Sequence, residues 1–208
     1  MAAIYARVSA RLSAQVPEAA FAAAFADLWP RHTAAARARG SVTSEAIERT
    51  WWEGFTREVA SRVGLGVDVE AWFLALWEEF ARPEVWGLFR EVESTLVGLR
   101  AAGVRTGILT NWDARCLRVF EGLGLTRLVD FVLVSSQVGV RKPGPGIFEE
   151  ALRRAGVAAS EALHVGDSFA DDVAGARAAG IEAVLLVRRG AGPEGVLCEK
   201  DLGFLLAP

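Results

Sequence analysis

The chain has 208 residues, 52% of them hydrophobic and 24% charged, a balance that buries a core and excludes a disordered chain. A net charge of −3 and a pI of about 5.6 exclude a strongly basic nucleic-acid footprint. Cys116 and Cys198 alone make neither a disulfide framework nor a CxxC metal pair, and no apolar run approaches the roughly 18 residues that cross a bilayer.

Residues 1 to about 90 hold six of the seven Trp and read as helices throughout. Ile4, Val8, Leu12 and Val16 recur every four residues and predict one helical stripe. This first helix is basic and has no acid before Glu18, as a transit peptide would, but the stripe carries the helical pattern past it. Arg7 and Arg11 stand where a signal peptide needs its apolar stretch. Pro17 and Pro30 punctuate the chain between this helix and the next. Ser44 with Glu45 and Glu48 marks a helix start, and Trp51, Trp52, Phe55 and Val59 continue its apolar face. A further helix spans Val67 to Phe80, with Trp72, Phe73, Leu76 and Trp77 on one side. The Trp residues read as helix-bundle core rather than as a ligand-binding aromatic box.

From about residue 91 helices and strands alternate. Helices are predicted at Glu91–Ala102, Asp113–Gly122, Gly146–Ala155 and Asp171–Ala179, and strands at 107–110, 131–134, 162–165 and 183–187. Short apolar strands separated by helices of about ten residues specify βαβ units and a parallel sheet covered on both faces. In such a sheet ligands bind beyond the C-terminal strand ends. The first strand delivers Thr110 and Asn111. The strand at 162–165 delivers Asp167, with Asp171 and Asp172 opening the next helix. The loop between them carries Arg141-Lys142-Pro143. Of the 23 basic residues all but Lys142 and Lys200 are Arg, so a Lys at 142 runs against the chain's own usage and suggests a need for a compact point charge. A hydroxyl, an amide, an ammonium and carboxylates meeting at one end suit a phosphate beside Mg²⁺. Asp at a helix start is also a common cap, and Asp167, which directly follows the strand, is the best metal-ligand candidate. Asp113 reads as a helix cap, His164 as a core histidine, and both cysteines as small buried hydrophobes.

The runs Ile108-Leu109-Thr110-Asn111, Arg141-Lys142-Pro143-Gly144-Pro145-Gly146-Ile147-Phe148 and His164-Val165-Gly166-Asp167-Ser168 through Gly180 resemble motifs two, three and four of the haloacid dehalogenase superfamily. The resemblance covers about residues 91–190. It implies a Rossmann-like parallel core (89–208) with an all-helical cap (1–88), and a Mg²⁺-dependent phosphohydrolase acting on a small phosphate ester through an aspartyl-phosphate. Thr110 and Asn111 would bind the phosphoryl group, Lys142 would neutralise the phosphate and the nucleophile, and Asp167 would ligate Mg²⁺ with Asp172 or Asp171 in support. Gly144 stands where the family often has Asp. The family's first motif, a central strand ending in Asp-x-Asp with Gly-Thr behind it, has no counterpart here. Asp68-Val69-Glu70 is the only acid-x-acid candidate near a strand-like run, and it opens a helix instead. The expected consequence is a gap, a distorted sheet or a substitute segment between the strands at 107–110 and 162–165, with Lys142 near enough to Asp167 for a direct or water-bridged contact.

Two other readings stay open: a catalytically inactive phosphate- and metal-binding protein, and a 2-haloacid dehalogenase, which Asp167 as a metal ligand disfavours. Gly190-Ala191-Gly192-Pro193-Glu194-Gly195 matches a dinucleotide fingerprint in letters but lacks the βαβ context. The expected protein is cytoplasmic, a monomer or homodimer, with no nucleic acid or membrane partner.

Overall fold

The computed structural model describes residues 1–206. Four helices come first: α1 (Ala2–Arg11), α2 (Glu18–Ala38), α3 (Glu45–Val63) and α4 (Val69–Phe80). α1 is shorter than its stripe predicts. It stops at Arg11, Ser13 takes a left-handed φ of 66°, and Val16 packs on the same core from a loop. Of the two punctuating prolines, Pro17 precedes α2 and Pro30 lies inside it. Burial of Phe21, Ala24 and Leu28 on one face keeps the helix intact despite a Pro penalty of about 3 kcal/mol in an isolated helix. Ser44 caps α3 by accepting from the Ile47 amide, and Asp68 caps α4 by accepting from Glu70 and Ala71. The candidate Asp68-Val69-Glu70 thus opens with a helix cap.

The apolar faces of these helices close on one cluster that includes Tyr5, Phe21, Phe55 and Trp72, all fully buried. Phe55 is ringed by Phe25, Trp29, Trp51 and Trp52 at centroid distances of 5.7, 5.5, 5.5 and 6.1 Å. Phe55→Ala is expected to cost about 3–5 kcal/mol, read in urea unfolding followed by Trp fluorescence.

The second half contains α5 (Val92–Ala101), β1 (Gly107–Thr110), α6 (Arg115–Gly122), β2 (Phe131–Val134), α7 (Ser135–Val138), α8 (Pro145–Ala155), β3 (Leu163–Gly166), α9 (Gly175–Ala178), β4 (Glu182–Leu186) and β5 (Cys198–Glu199). β3 and β4 sit one residue from their predicted places. The helix predicted at 171–179 begins instead as a π-helical turn over Phe169–Ala174, and α9 continues it. A second core, containing Leu133, Ile147, Phe148, Val173 and Leu185, shares no residue with the first.

The strands are parallel but do not form one sheet. β1 pairs with β2, Gly107 opposite Phe131 and Thr110 opposite Val134. β3, β4 and β5 form a separate group, with Leu163 opposite Glu182 and Leu185 opposite Cys198. Among the described residues β1 and β3 are not hydrogen-bonded to each other, so the sheet is interrupted at the slot between them, where a gap, a distorted sheet or a substitute segment was expected. No helix of the described residues is long and apolar enough to cross a membrane.

Candidate active site at the split sheet

Lys142 stands at the C-terminal mouth of this slot. Its Nζ donates to the Leu109 carbonyl of β1 at 2.9 Å and to Asp172 Oδ1 at 2.6 Å, so one ammonium joins the two half-sheets. Its backbone is equally fixed. Asn111 Nδ2 donates to the Lys142 carbonyl at 2.9 Å, and the Lys142 amide donates to Asn111 Oδ1 at 2.7 Å. The loop sits tightly on α9: a Cβ on Gly175 would stand 2.9 Å from Pro143 Cα.

Asp172 is buried on the π-helical turn. That turn begins at Ser168, whose carbonyl receives the amides of both Asp172 and Val173 at 2.8 and 3.3 Å. The wider turn swings the Asp172 carboxylate back beneath β3, where it takes hydrogen bonds from Lys142, from the Ser168 amide at 2.9 Å and from His164 Nε2 at 3.1 Å. Gly166 is required there, because a Cβ would run into that carboxylate. Burial alone would raise the Asp172 pKa. The His164 hydrogen bond, the Lys142 charge and hydrogen bond, and the Ser168 amide outweigh burial and hold it well below the usual carboxylate range. His164, edge-on to Phe148 at 5.2 Å, is the satisfied core histidine the sequence suggests.

Lys142 therefore pairs with Asp172, where Asp167 was the expected partner. Asp167 is exposed at the end of β3, and its carboxylate takes no hydrogen bond from a described residue. Asp171 accepts from Ser168 Oγ at 3.1 Å and faces Arg37 of α2 at 3.3 Å. Thr110 ends β1 beside Asn111. Among the described residues no three His, Cys, Asp or Glu side chains gather as a metal cluster. Mg²⁺ ordinarily takes only one or two protein carboxylates and fills its shell with water and phosphate oxygens. By that measure Asp167 fits as a single hard-oxygen ligand, with Asp171, itself facing Arg37, as the second candidate, and Asp172 is already engaged.

The helical half contributes groups that sequence reasoning missed. The segment before α3 lies along the Lys142 loop: the Arg141 amide donates to the Ser41 carbonyl at 2.8 Å and the Thr43 amide to the Gly139 carbonyl at 3.0 Å. Glu45, read only as a helix-start acid, accepts from the Ala114 amide at 3.1 Å and from Ser136 Oγ. Buried Glu48 accepts from Thr43 Oγ1 at 2.6 Å and faces Arg141 at 3.8 Å. Across the other side Arg115 lies over the Trp77 ring, 3.2 Å from its centroid, and donates to the Trp77 carbonyl at 2.8 Å and to both Asp113 oxygens at 2.7 Å. Nothing in the sequence pattern singles out Arg37 or Arg115 from the other arginines. Burial, with the nearby charges of Asp113 and Glu45, pushes the Cys116 thiol up to about 12, which makes it the inert buried thiol expected.

A family model described as haloacid dehalogenase-like hydrolase matches residues 3–180. The chain is 36% identical over 143 residues to haloacid dehalogenase-like hydrolase domain-containing protein 3 of Danio rerio, covering 68% of this chain and 59% of that protein. It is 36% identical over 212 residues to a phosphoserine phosphatase of Thermus thermophilus, covering 95% of this chain and 80% of that protein. It spans about half the length of the animal relatives it matches. An L-2-haloacid dehalogenase structure superposes with a TM-score of 0.75 at 24% identity, covering 99% of this chain and 91% of that one. At that identity the match shows a shared fold. The chain belongs to the haloacid dehalogenase-like hydrolases.

Proposed function

We propose that this hydrolase is a phosphatase acting on a small phosphate monoester, with residues 1–88 as cap and 89–208 as core. The observation that carries this reading is the Lys142 ammonium, tied to Leu109 and Asp172 at the mouth of the slot with Asn111 clamping its backbone. A fixed point charge at strand ends suits phosphoryl oxygens. The phosphatase names of relatives from Thermus thermophilus and Methanothermobacter thermautotrophicus support it.

In this reading a strand ending in Asp seats between β1 and β3. Its carboxylate oxygen attacks phosphorus, the bond to the alcohol oxygen breaks, and the departing oxygen takes a proton from the second Asp of the Asp-x-Asp motif, which later takes a proton back from the attacking water. Water then cleaves the acyl phosphate and restores the carboxylate. Thr110 orients the phosphoryl group, the Asn111 side chain holds the Lys142 backbone in place beside it, and Lys142 offsets its charge. Mg²⁺, held by Asp167 with Asp171 in support, would offset further negative charge on the phosphoryl oxygens. The test is phosphate release from a monoester panel with Mg²⁺, by the 208-residue chain and by one carrying such a strand ahead of residue 1.

A further inference from the structure

A cavity of about 310 Å³ lies where the helical half meets the loop after β1. Its walls include Trp52, Phe73, Trp77, Phe80, Trp86 and Trp112. Asn111, the residue that clamps Lys142, forms part of the same wall. The phosphate-site candidates and the aromatic hollow are therefore contiguous. The aromatic residues expected as bundle core divide: Trp72 is fully buried, while Trp52, Trp77 and Trp86 line the opening.

One charged side chain, Arg115, reaches this wall, and it is already spent on Asp113, the Trp77 carbonyl and the Trp77 ring. Asn111 is likewise committed to Lys142. An amino-acid or sugar alcohol would bring an ammonium, a carboxylate or several hydroxyls to a surface with few free partners. Each group left unpaired costs about tenfold in affinity. Edge and face contacts with indole and phenyl rings favour a flat apolar guest, and the volume sits at the low end for small-molecule sites.

We propose that this cavity binds the alcohol part of the substrate, and that this alcohol is apolar and ring-sized, aromatic or alicyclic. The inference rests on the phosphatase reading for the phosphate, but the cavity is testable without it. The 208-residue chain is titrated calorimetrically with 2-naphthol, 2-naphthyl phosphate, phosphoserine and inorganic phosphate. 2-Naphthol is expected to saturate with a negative heat-capacity change, and phosphoserine to bind at least tenfold more weakly than 2-naphthyl phosphate. Trp52→Ala and Trp86→Ala should each weaken 2-naphthol at least fivefold and leave inorganic phosphate unchanged. Should either variant lose cooperative melting, Trp52→Leu or Trp86→Leu replaces it. Non-saturating 2-naphthol, phosphoserine equal to 2-naphthyl phosphate, or variants that bind 2-naphthol like the parent would overturn the proposal. Naphthol bound without inorganic phosphate keeps the cavity and removes the phosphatase reading; the reverse removes the cavity alone.

Discussion

The 208-residue chain is expected to release phosphate from monoesters about 10⁴-fold more slowly, or worse, than a chain carrying an Asp-terminated strand between β1 and β3. Covalent phosphoryl transfer needs a carboxylate in line with phosphorus, and the acids near Lys142 are otherwise placed. Asp172 is buried and bound by Lys142, His164 and the Ser168 amide. Asp171 faces Arg37 and the Ser168 hydroxyl. Asp167 is unengaged, but a carboxylate that ligates a cation is a weak nucleophile, and it lies at the end of β3 rather than between the half-sheets. Equal rates for the two chains would show that one of these acids does the chemistry. Phosphate binding with no turnover in either chain would favour the binding-protein reading.

Asp172→Asn is expected to destabilise the protein by about 3–5 kcal/mol, because it leaves a buried ammonium without its counter-charge. The Lys142 side chain is 11% exposed and that of Asp172 5%, so little water reaches the pair to compensate. Removing both charges in Lys142→Met with Asp172→Leu should recover part of the loss: the uncompensated charge is gone, but the Ser168 amide and His164 still lack their acceptor. Chemical denaturation of the two single variants and the double variant measures the coupling. The same pair sets an acid limit. The folded-state pKa of Asp172 is depressed, so its contribution is complete above the ordinary value of about 3.8 and is present in full at neutral pH. As pH falls below that value the unfolded chain takes up the proton first and stability declines. In Asp172→Asn that acid-side slope should flatten, and an unchanged slope would place the acid sensitivity elsewhere.

The first four strands were legible because each is a short, mostly apolar run set between helical patterns, as Ile108-Leu109-Thr110 is. β5 was not, since two paired residues, Cys198 and Glu199, leave no alternation to read. The residues that gather at the slot were legible from strand ends alone: Asn111, Lys142 and Asp172 do meet. Which acid Lys142 chooses was not. The π-helical turn after β3 moves Asp172 under the sheet, and its extra residue has no signature in side-chain spacing. The cross-contacts from Arg37, Glu45 and Glu48 depend on how two separate cores are apposed, which no local pattern encodes.

Lysine scarcity turns the strut across the slot into a chemical reporter. The chain has two lysines, Lys142 and Lys200. Lys200 is exposed, whereas the amine of Lys142 is largely enclosed and held by Leu109 and Asp172. In an acylation time course analysed by peptide mass, Lys200 should react promptly and Lys142 only as its bonds to Leu109 and Asp172 loosen. The lag between the two sites then measures how often the strut lets go in the native protein, and a phosphate or strand that seats beside it should lengthen it.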